Sequence, residues 1–162
     1  SDPEESGTTF LENARIKARA AHELACAAVL ADDSGLIVDA LDGAPGVYSS
    51  RYSGVDGDDS ANNAKLLREL SAVPLAKRTA RFASVLVFID EDGLETVSEG
   101  FVEGHIGLVE RGEHGFGYDP LFFPDAYNGE VTMAELTQSQ KNAISHRGNA
   151  LRELRKKLHA CD

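Results

Sequence analysis

A long hairpin signal in the middle of the sequence restricts the folds that this chain can adopt. Residues Arg78–Asp90 are strand-like, the turn residues Glu91-Asp92-Gly93 follow, and Leu94–Ile106 form a second strand-like stretch. Two such stretches joined by a short turn that contains glycine predict a β-hairpin. We therefore expect a sheet that is organised around this hairpin.

Helical and strand patterns surround the hairpin. Four helices are expected: from Thr9 to about Ala28, from Asp59 or Ser60 to about Leu70, a short one near Thr137–Lys141, and one from about Ser145 to Leu158. Two short strands, Val29–Ala31 and Leu36–Val38, are expected on either side of an Asp-Asp-Ser-Gly turn. This order predicts an α/β fold with a mixed β-sheet flanked by helices, and the length suits a single domain over residues 1–162.

Composition excludes several classes of partner. The formal net charge is −11, which repels a nucleic-acid backbone, so we expect no nucleic acid polymer as a partner. The sequence contains no apolar run of about 18 residues, so we expect no membrane partner. The two cysteines, Cys26 and Cys161, are too few for a disulfide framework and predict a cytoplasmic protein, with Cys26 as a small core residue.

Three acids, Glu12, Asp32 and Asp33, form the first candidate site. Acids that follow a buried strand lie where α/β proteins place ligand groups. Clustered carboxylates suit Mg²⁺, which takes one or two of them together with substrate phosphates. The alternative is local turn chemistry for Asp32 and Asp33 and, for Glu12, a helix capping box that begins at Thr9.

A glycine-rich loop and a basic segment supply two further candidates. In Gly115-Phe116-Gly117-Tyr118-Asp119-Pro120, the glycines allow close approach of a flat ligand and Phe116 offers a face for stacking. The alternative is a structural loop whose two aromatic residues pack in the core. Ser145-His146-Arg147-Gly148, with Lys141 upstream, predicts an anion or carbonyl site at a helix start; the alternative is a serine cap followed by solvated polar residues.

Taken in order, these segments resemble the inosine triphosphate pyrophosphatase family, the house-cleaning nucleotide hydrolases. The resemblance extends over nearly the whole chain from Thr9 onward. The segments that carry it are Thr9–Ala14 with Lys17-Ala18, Ala31–Leu36, Gly43–Gly54, Gly115–Pro120, Ala134–Thr137 and Ser145–Gly148.

The resemblance implies an enzyme that hydrolyses inosine, deoxyinosine and xanthosine triphosphates (ITP, dITP and XTP) to the monophosphate and pyrophosphate, with Mg²⁺ as cofactor. It implies that Asp33 is the general base and that Glu12 and Asp33 bind the metal. It also implies a homodimer. The implied substrate-binding residues are Lys17, Ser34, Phe116, Gly117, Tyr118, Asp119, Lys141, His146 and Arg147.

One segment of the family pattern has no counterpart in this sequence. The family places a strand and a Ser/Thr-x-Asn-x-x-Lys loop, which grips the triphosphate, before the segment that matches Thr9. Without that loop, the chain could instead be a catalytically impaired nucleotide-binding module. The sequence is also compatible with a structural dimerisation domain or with a pyrophosphatase for modified pyrimidine nucleotides.

Overall fold

The structure is a computed structural model that describes residues 3–160. Its helices and strands follow one another in the order α1 (Phe10–Ala25), β1 (Val29–Val38), α2 (Asp59–Glu69), β2 (Thr79–Ile89), β3 (Glu95–Ile106), β4 (Phe122–Pro124), α3 (Gln138–Ile144) and α4 (His146–His159). Among the described residues, no helix is long and apolar enough to cross a membrane.

Helix α1 begins where the sequence predicts and ends earlier. Thr9 is the N-cap, and its hydroxyl accepts a hydrogen bond from the Glu12 backbone N–H at 3.1 Å. The helix ends at Ala25 because Cys26 adopts the left-handed conformation, with φ 51°, and its N–H bonds to the His22 carbonyl at 2.9 Å. The predicted end near Ala28 and the predicted burial of Cys26 are therefore wrong, since Cys26 is exposed. Cys161 lies outside the described residues.

Strand β1 is one continuous strand of ten residues, where the sequence predicts two short strands and a turn. The turn propensity of Asp32-Asp33-Ser34-Gly35 is local, whereas pairing with a neighbouring strand satisfies the backbone of the whole segment. Tertiary pairing commonly overrides such weak local preferences. The two acids thus lie within the strand and not beyond its end.

The predicted hairpin is confirmed by strands β2 and β3, which are neighbours in the sheet. In the turn, the Asp90 N–H bonds to the Leu94 carbonyl at 3.0 Å, and the Asp90 carboxylate accepts from the N–H groups of Asp92 and Leu94, both at 2.9 Å. Gly93 has φ 86°, a left-handed conformation that favours glycine.

The sheet has the order β1-β2-β3-β4, so each neighbouring pair of strands is consecutive in the chain. β3 pairs with β4 in antiparallel register, with His105 opposite Phe123. The α/β fold with flanking helices is confirmed, and the four described strands form an antiparallel sheet where a mixed one is expected. Parallel neighbours need a crossover that returns the chain to the same end of the sheet, and the short β2–β3 turn is no such crossover.

The described chain divides into two compact units. Unit one comprises residues 3–34, 83–101 and 146–160, and unit two comprises Gly35–Phe82 and Val102–Ser145. Strands β1, β2 and β3 each contribute residues to both units. The single-domain organisation stays a prediction.

In unit one, successive residues of β2 contact two different helices. Val85 and Val87 pack in one cluster with Ala14 of α1. Leu86 packs in another cluster with Ala150 of α4. Because successive strand side chains point to opposite faces, α1 and α4 cover opposite faces of the sheet within unit one.

In unit two, a larger apolar core surrounds an aromatic contact between β2 and β4. The rings of Phe82 and Phe122 have centroids 4.5 Å apart, and Leu36, Leu66 and Ile106 are fully buried in the same cluster. This core fixes the end of α2 and the strands that flank the long loop between β3 and β4.

Arg78 ties three backbone segments of unit two together. Its side chain is buried and donates to the carbonyls of Leu70, Val73 and Gly107 at 2.7, 2.9 and 2.8 Å. Leu70 is the C-cap of α2, where carbonyls lack helical partners and attract a cation. The start of the loop after β3 is therefore fixed to the end of α2.

Candidate functional site

The continuous strand β1 separates the predicted acids onto two faces. Asp33 has the same parity as Val29 and Ala31, which pack with α1. Asp32 and Ser34 have the opposite parity. Because side chains alternate along a strand, Asp33 lies on the α1 face of unit one, whereas Asp32 and Ser34 lie on the α4 face.

On the α1 face, Asp33 and Lys17 lie close together. The Lys17 ammonium lies 3.6 Å from Asp33 Oδ1 and 3.0 Å from a carboxylate oxygen of Glu5. Asp33 is 8% exposed. Its second oxygen, Oδ2, is buried and has no hydrogen-bond partner among the described residues. The site therefore holds a desolvated carboxylate with one oxygen that accepts no hydrogen bond from the described residues.

The surroundings of Asp33 disfavour its charged form. Burial is the largest influence and raises the pKa from 3.8 to about 6, with a smaller rise from the negative charge of Glu5. Lys17 and the Asn13 amide act in the opposite direction. A carboxylate with a pKa near 6 can exchange a proton at neutral pH.

Glu12 hydrogen-bonds to Thr8, just before the start of α1. One of its carboxylate oxygens accepts from the Thr8 backbone N–H at 2.6 Å and from the Thr8 hydroxyl at 3.1 Å. These hydrogen bonds, the backbone one first, lower the pKa of the exposed Glu12 carboxyl. Across residues 3–160, no three His, Cys, Asp or Glu side chains form a group that could hold a metal ion. The metal-binding roles of Glu12 and Asp33 stay predictions.

On the α4 face, Arg147 contacts Asp32 and Ser34 of β1. Its Nε donates to Asp32 Oδ2 at 3.0 Å, and its Nη2 lies 3.5 Å from Ser34 Oγ. The structure thus brings Arg147 to Ser34, and places both on the face opposite Asp33. His146 is the first residue of α4, beside Arg147.

Gly100 of β3 sets how closely α4 approaches the sheet. A Cβ atom at this position would lie 2.2 Å from the Ala150 backbone nitrogen and 2.2 Å from the His146 carbonyl oxygen. Ser98 Oγ also donates to the Ala150 carbonyl at 2.9 Å. The first turns of α4, which carry His146 and Arg147, therefore rest directly on the β3 backbone.

In unit two, Phe116, Asp119 and Lys141 form one cluster. The Lys141 ammonium donates to Asp119 Oδ2 and lies 4.3 Å from the centroid of the Phe116 ring. The same Asp119 oxygen accepts from the Phe116 backbone N–H at 3.1 Å. Asp119 and Lys141 are buried, while Phe116 is 63% exposed. The cluster presents an exposed aromatic ring above a buried ion pair.

Tyr118 points away from that exposed ring. It is buried, and its hydroxyl donates to the Ser49 carbonyl at 2.6 Å. Burial is the largest cause that raises the pKa of Tyr118. The Ser49 hydroxyl in turn accepts from the Leu36 N–H at 2.9 Å and donates to the Gly46 carbonyl at 2.6 Å. Tyr118 thus anchors the loop, as expected of an aromatic residue that packs in the core.

Two glycines of the loop, Gly112 and Gly115, have steric reasons for their presence. Gly112 has φ 93°, and a Cβ there would lie 2.5 Å from the Ala134 backbone. Gly115 has φ 81°, and a Cβ there would lie 2.3 Å from Asp119 Oδ2. A larger residue at position 115 would therefore displace the carboxylate that holds Phe116 and Lys141.

Sequence reasoning missed several residues of both clusters. Asn13 and Glu5 surround Asp33 in unit one, and Ser49 anchors Tyr118 in unit two. Asp59 and Asn63 of α2 hydrogen-bond to Gly117. Asn13 follows Glu12 directly and lies four residues before Lys17, on the same side of α1, so helical periodicity is the signal that finds it. The other contacts join distant segments and have no local signal.

Comparison with known proteins identifies relatives over nearly the whole chain. The model of the Ham1 family matches residues 1–157. A dITP/XTP pyrophosphatase of Oceanobacillus iheyensis is 54% identical over 159 residues, covering 98% of this chain and 79% of the relative. A dITP/XTP pyrophosphatase of Nocardia farcinica is 56% identical over 153 residues, covering 93% of this chain and 72% of the relative.

Solved structures agree with the sequence comparison. The Staphylococcus aureus Ham1 protein superimposes with a TM-score of 0.92 at 43% identity, covering 100% of this chain and 82% of that structure. A HAM1 protein from Coxiella burnetii gives a TM-score of 0.90 at 44% identity, covering 99% of this chain and 81% of that structure. By sequence and by fold, this chain belongs to the Ham1 family.

Proposed function

We propose that this chain hydrolyses the triphosphates of deaminated purines, dITP, ITP and XTP, to the monophosphate and pyrophosphate. Asp33 is the observation that carries the proposal, because it combines burial, an unpartnered oxygen and a neighbouring lysine. The names of the relatives, dITP/XTP pyrophosphatases at 50–56% identity, supply the substrate class.

Asp33 acts as the general base in this proposal. A water molecule that attacks a phosphorus atom must lose a proton, and a carboxylate with a pKa of about 6 accepts one at neutral pH. Lys17, whose ammonium lies 3.6 Å from Asp33, offers positive charge to the phosphate oxygens. Charge placed where negative charge develops stabilises the transition state.

The proposed cofactor is Mg²⁺, held by Asp33 and Glu12. Oδ2 of Asp33, which is buried and has no hydrogen-bond partner among the described residues, would be one ligand of such an ion. With no group of three metal-binding side chains among the described residues, the remaining ligands are phosphate oxygens and water, which is the usual manner of Mg²⁺ binding. When bound, the ion neutralises phosphate charge.

Base recognition is assigned to the cluster in unit two. The exposed ring of Phe116 stacks on the purine, and Lys141 beside it supplies a cationic donor for its 6-oxo group. Adenine presents an amino group at that position, which leaves a buried donor without a partner. The other residues of the proposed substrate-binding set are Ser34, Gly117, Tyr118, Asp119, His146 and Arg147.

A cytoplasmic location, a homodimer and the lack of nucleic acid or membrane partners are also proposals. The two cysteines and the net charge of −11 support the location and the exclusion of nucleic acid. The homodimer rests on the family resemblance. Light scattering of the purified chain measures its mass directly, and a mass of one chain would contradict the homodimer.

Pyrophosphate release tests the proposed function. The chain is assayed with inosine, xanthosine, guanosine and adenosine triphosphates, with and without Mg²⁺. Metal-dependent release from the inosine and xanthosine substrates alone is the expected result. Nucleotide binding without release would instead support the catalytically impaired binding module.

A further inference from the structure

Side chains of helix α2 hydrogen-bond to both polar atoms of the Gly117 backbone, its N–H and its carbonyl oxygen. The Gly117 N–H donates to Asp59 Oδ2 at 2.8 Å, and the Gly117 carbonyl accepts from Asn63 Nδ2 at 3.0 Å. Asp59 and Asn63 are four residues apart, so they project from the same side of the helix. One peptide segment is therefore clamped by two neighbouring side chains.

Gly117 lies directly after Phe116, the exposed ring of the loop. It has φ 59°, and among residues 3–160 no heavy atom outside Gly117 and its two chain neighbours lies within 4 Å of where its Cβ would be. Side-chain packing therefore does not fix this glycine, and the two hydrogen bonds from α2 do. A shift of the Gly117 backbone would move the Phe116 ring with it, since one peptide bond joins them.

Two adjacent asparagines of α2 differ in how their polar atoms are used. Asn62 and Asn63 are 2% and 3% exposed. Asn62 uses both ends of its amide, accepting from the Ser53 N–H at 2.7 Å and donating to the Ser50 carbonyl at 2.9 Å. In contrast, Asn63 Oδ1 is buried without a partner in the part of the chain that the structure describes.

An unpartnered buried oxygen lowers stability, because its desolvation is not offset by a hydrogen bond. Stability of the fold therefore does not account for Asn63, whereas it does account for Asn62, whose amide is paired at both ends. Asn63 also lines a cavity of about 230 Å³ together with Asp59, Phe116 and Gly117. Both observations favour a role in the loop and not in the core.

We propose that Asp59 and Asn63 are positioning residues that hold Gly117 and thereby keep the Phe116 ring in place for the purine. The inference rests on the proposed function, since it assigns Phe116 to the base. It adds a second element, α2, to base recognition. Asp59 is exposed, so its hydrogen bond competes with water and contributes less than that of Asn63.

Kinetics and binding of four variants test the proposal. For Asn63→Ala we expect the KM for ITP and the Kd for inosine monophosphate to rise about tenfold, equivalent to about 1.4 kcal/mol, with kcat within about twofold of the parent. Asp59→Ala should raise both by about threefold, and Asp59→Asn, which keeps an acceptor oxygen, should restore them. Asn62→Ala is the matched control and should lower thermal stability without a change in KM.

Backbone amide exchange of the ligand-free protein tests the clamp without any substrate. The Gly117 N–H should exchange about tenfold faster in Asn63→Ala and in Asp59→Ala than in the parent. Unchanged exchange in both variants, or unchanged KM and Kd in Asn63→Ala, overturns the proposal. If the parent chain neither hydrolyses ITP nor binds inosine monophosphate, the proposed function fails, and the exchange rates still decide whether α2 holds the loop.

Discussion

The Asp33 cluster of unit one and the Phe116 loop of unit two differ in how completely their polar groups are paired. Asp33 is buried beside Lys17, one of its oxygens has no hydrogen-bond partner among residues 3–160, and its pKa is raised to about 6. In the loop, the charge of Asp119 is paired with Lys141 and also holds the Phe116 backbone. A reacting group must retain capacity for a ligand, whereas a recognition loop is more selective when its geometry is fixed beforehand. This difference is consistent with the proposed function, which assigns the chemistry to Asp33 in unit one and base stacking to Phe116 in unit two.

The largest effect is expected when the ionisable carboxyl of Asp33 is replaced. Asp33→Asn should lower kcat for ITP by about 10²–10⁴-fold, the usual contribution of a general base. Its fold should be retained, because the amide occupies nearly the same volume. Asp32→Asn is the control, since Asp32 lies on the opposite face and pairs with Arg147. Equal losses in the two variants would contradict the assignment of Asp33.

The second prediction concerns the ion pair between Lys141 and Asp119 in unit two. Lys141→Met should lower the free energy of unfolding by about 3 kcal/mol, because it leaves the Asp119 carboxylate buried without a counter-charge. Urea unfolding at pH 7 measures the change. The double variant Lys141→Met with Asp119→Asn should recover much of the loss. A single variant as stable as the parent would show that the ion pair does not hold the loop.

The third prediction uses pH to separate the two clusters. The folded-state pKa of Asp33 is about 6, above the ordinary 3.8, so its burial lowers the free energy of unfolding progressively as the pH rises from about 3.8 to about 6. Asp33→Asn should therefore raise the free energy of unfolding at pH 8 by up to about 3 kcal/mol, the full equivalent of that shift. The gain should shrink as the pH falls below about 6 and vanish near pH 2, well below both pKa values, where the carboxyl is protonated in both states.

Denaturant unfolding at a series of pH values, in buffer with a chelator, measures this difference between parent and variant. A gain that stays constant from pH 4 to pH 8 would refute the link to Asp33 ionisation. Asp119→Asn is a useful contrast, because Asp119 has a counter-charge and its replacement should not stabilise the protein at any pH.

The smallest expected effect concerns the exposed ring itself. Phe116→Ala should raise the KM for ITP about tenfold, in line with roughly 1–3 kcal/mol for one stacked base. Since Phe116 is 63% exposed, thermal stability should change little. Phe116→Tyr should preserve the KM. If Phe116→Ala has the KM of the parent, the ring does not stack on the base.

Sequence patterns predicted the elements whose signals are local. The hairpin turn at Asp90–Gly93 and the Thr9 cap of α1 depend on residues close together in the chain, and both are confirmed. The continuity of β1 was not predictable in this way, because Asp32-Asp33-Ser34-Gly35 has the composition of a turn and forms a strand through pairing. Once the strand is known, alternation places Asp33 and Asp32 on opposite faces.

The contacts that the sequence did not predict are those that join distant segments. Asn62 and Asn63 are adjacent and chemically identical, yet one stabilises a neighbouring turn and the other holds Gly117. Ser49 is likewise an ordinary loop serine until the fold brings Tyr118 to its carbonyl. Such roles depend on tertiary placement, which a single sequence does not encode in any local pattern.

The close approach of α4 to β3 at Gly100 has a consequence for the evolution of this protein. Gly100 carries no functional group, but even one added methyl group would collide with backbone atoms of Ala150 and His146. Relief of that collision would move the start of α4 and separate Arg147 from Asp32 and Ser34. We therefore expect position 100 to tolerate as little variation as a position that takes part in the chemistry. A saturation library at this position, selected for activity, should retain glycine almost exclusively.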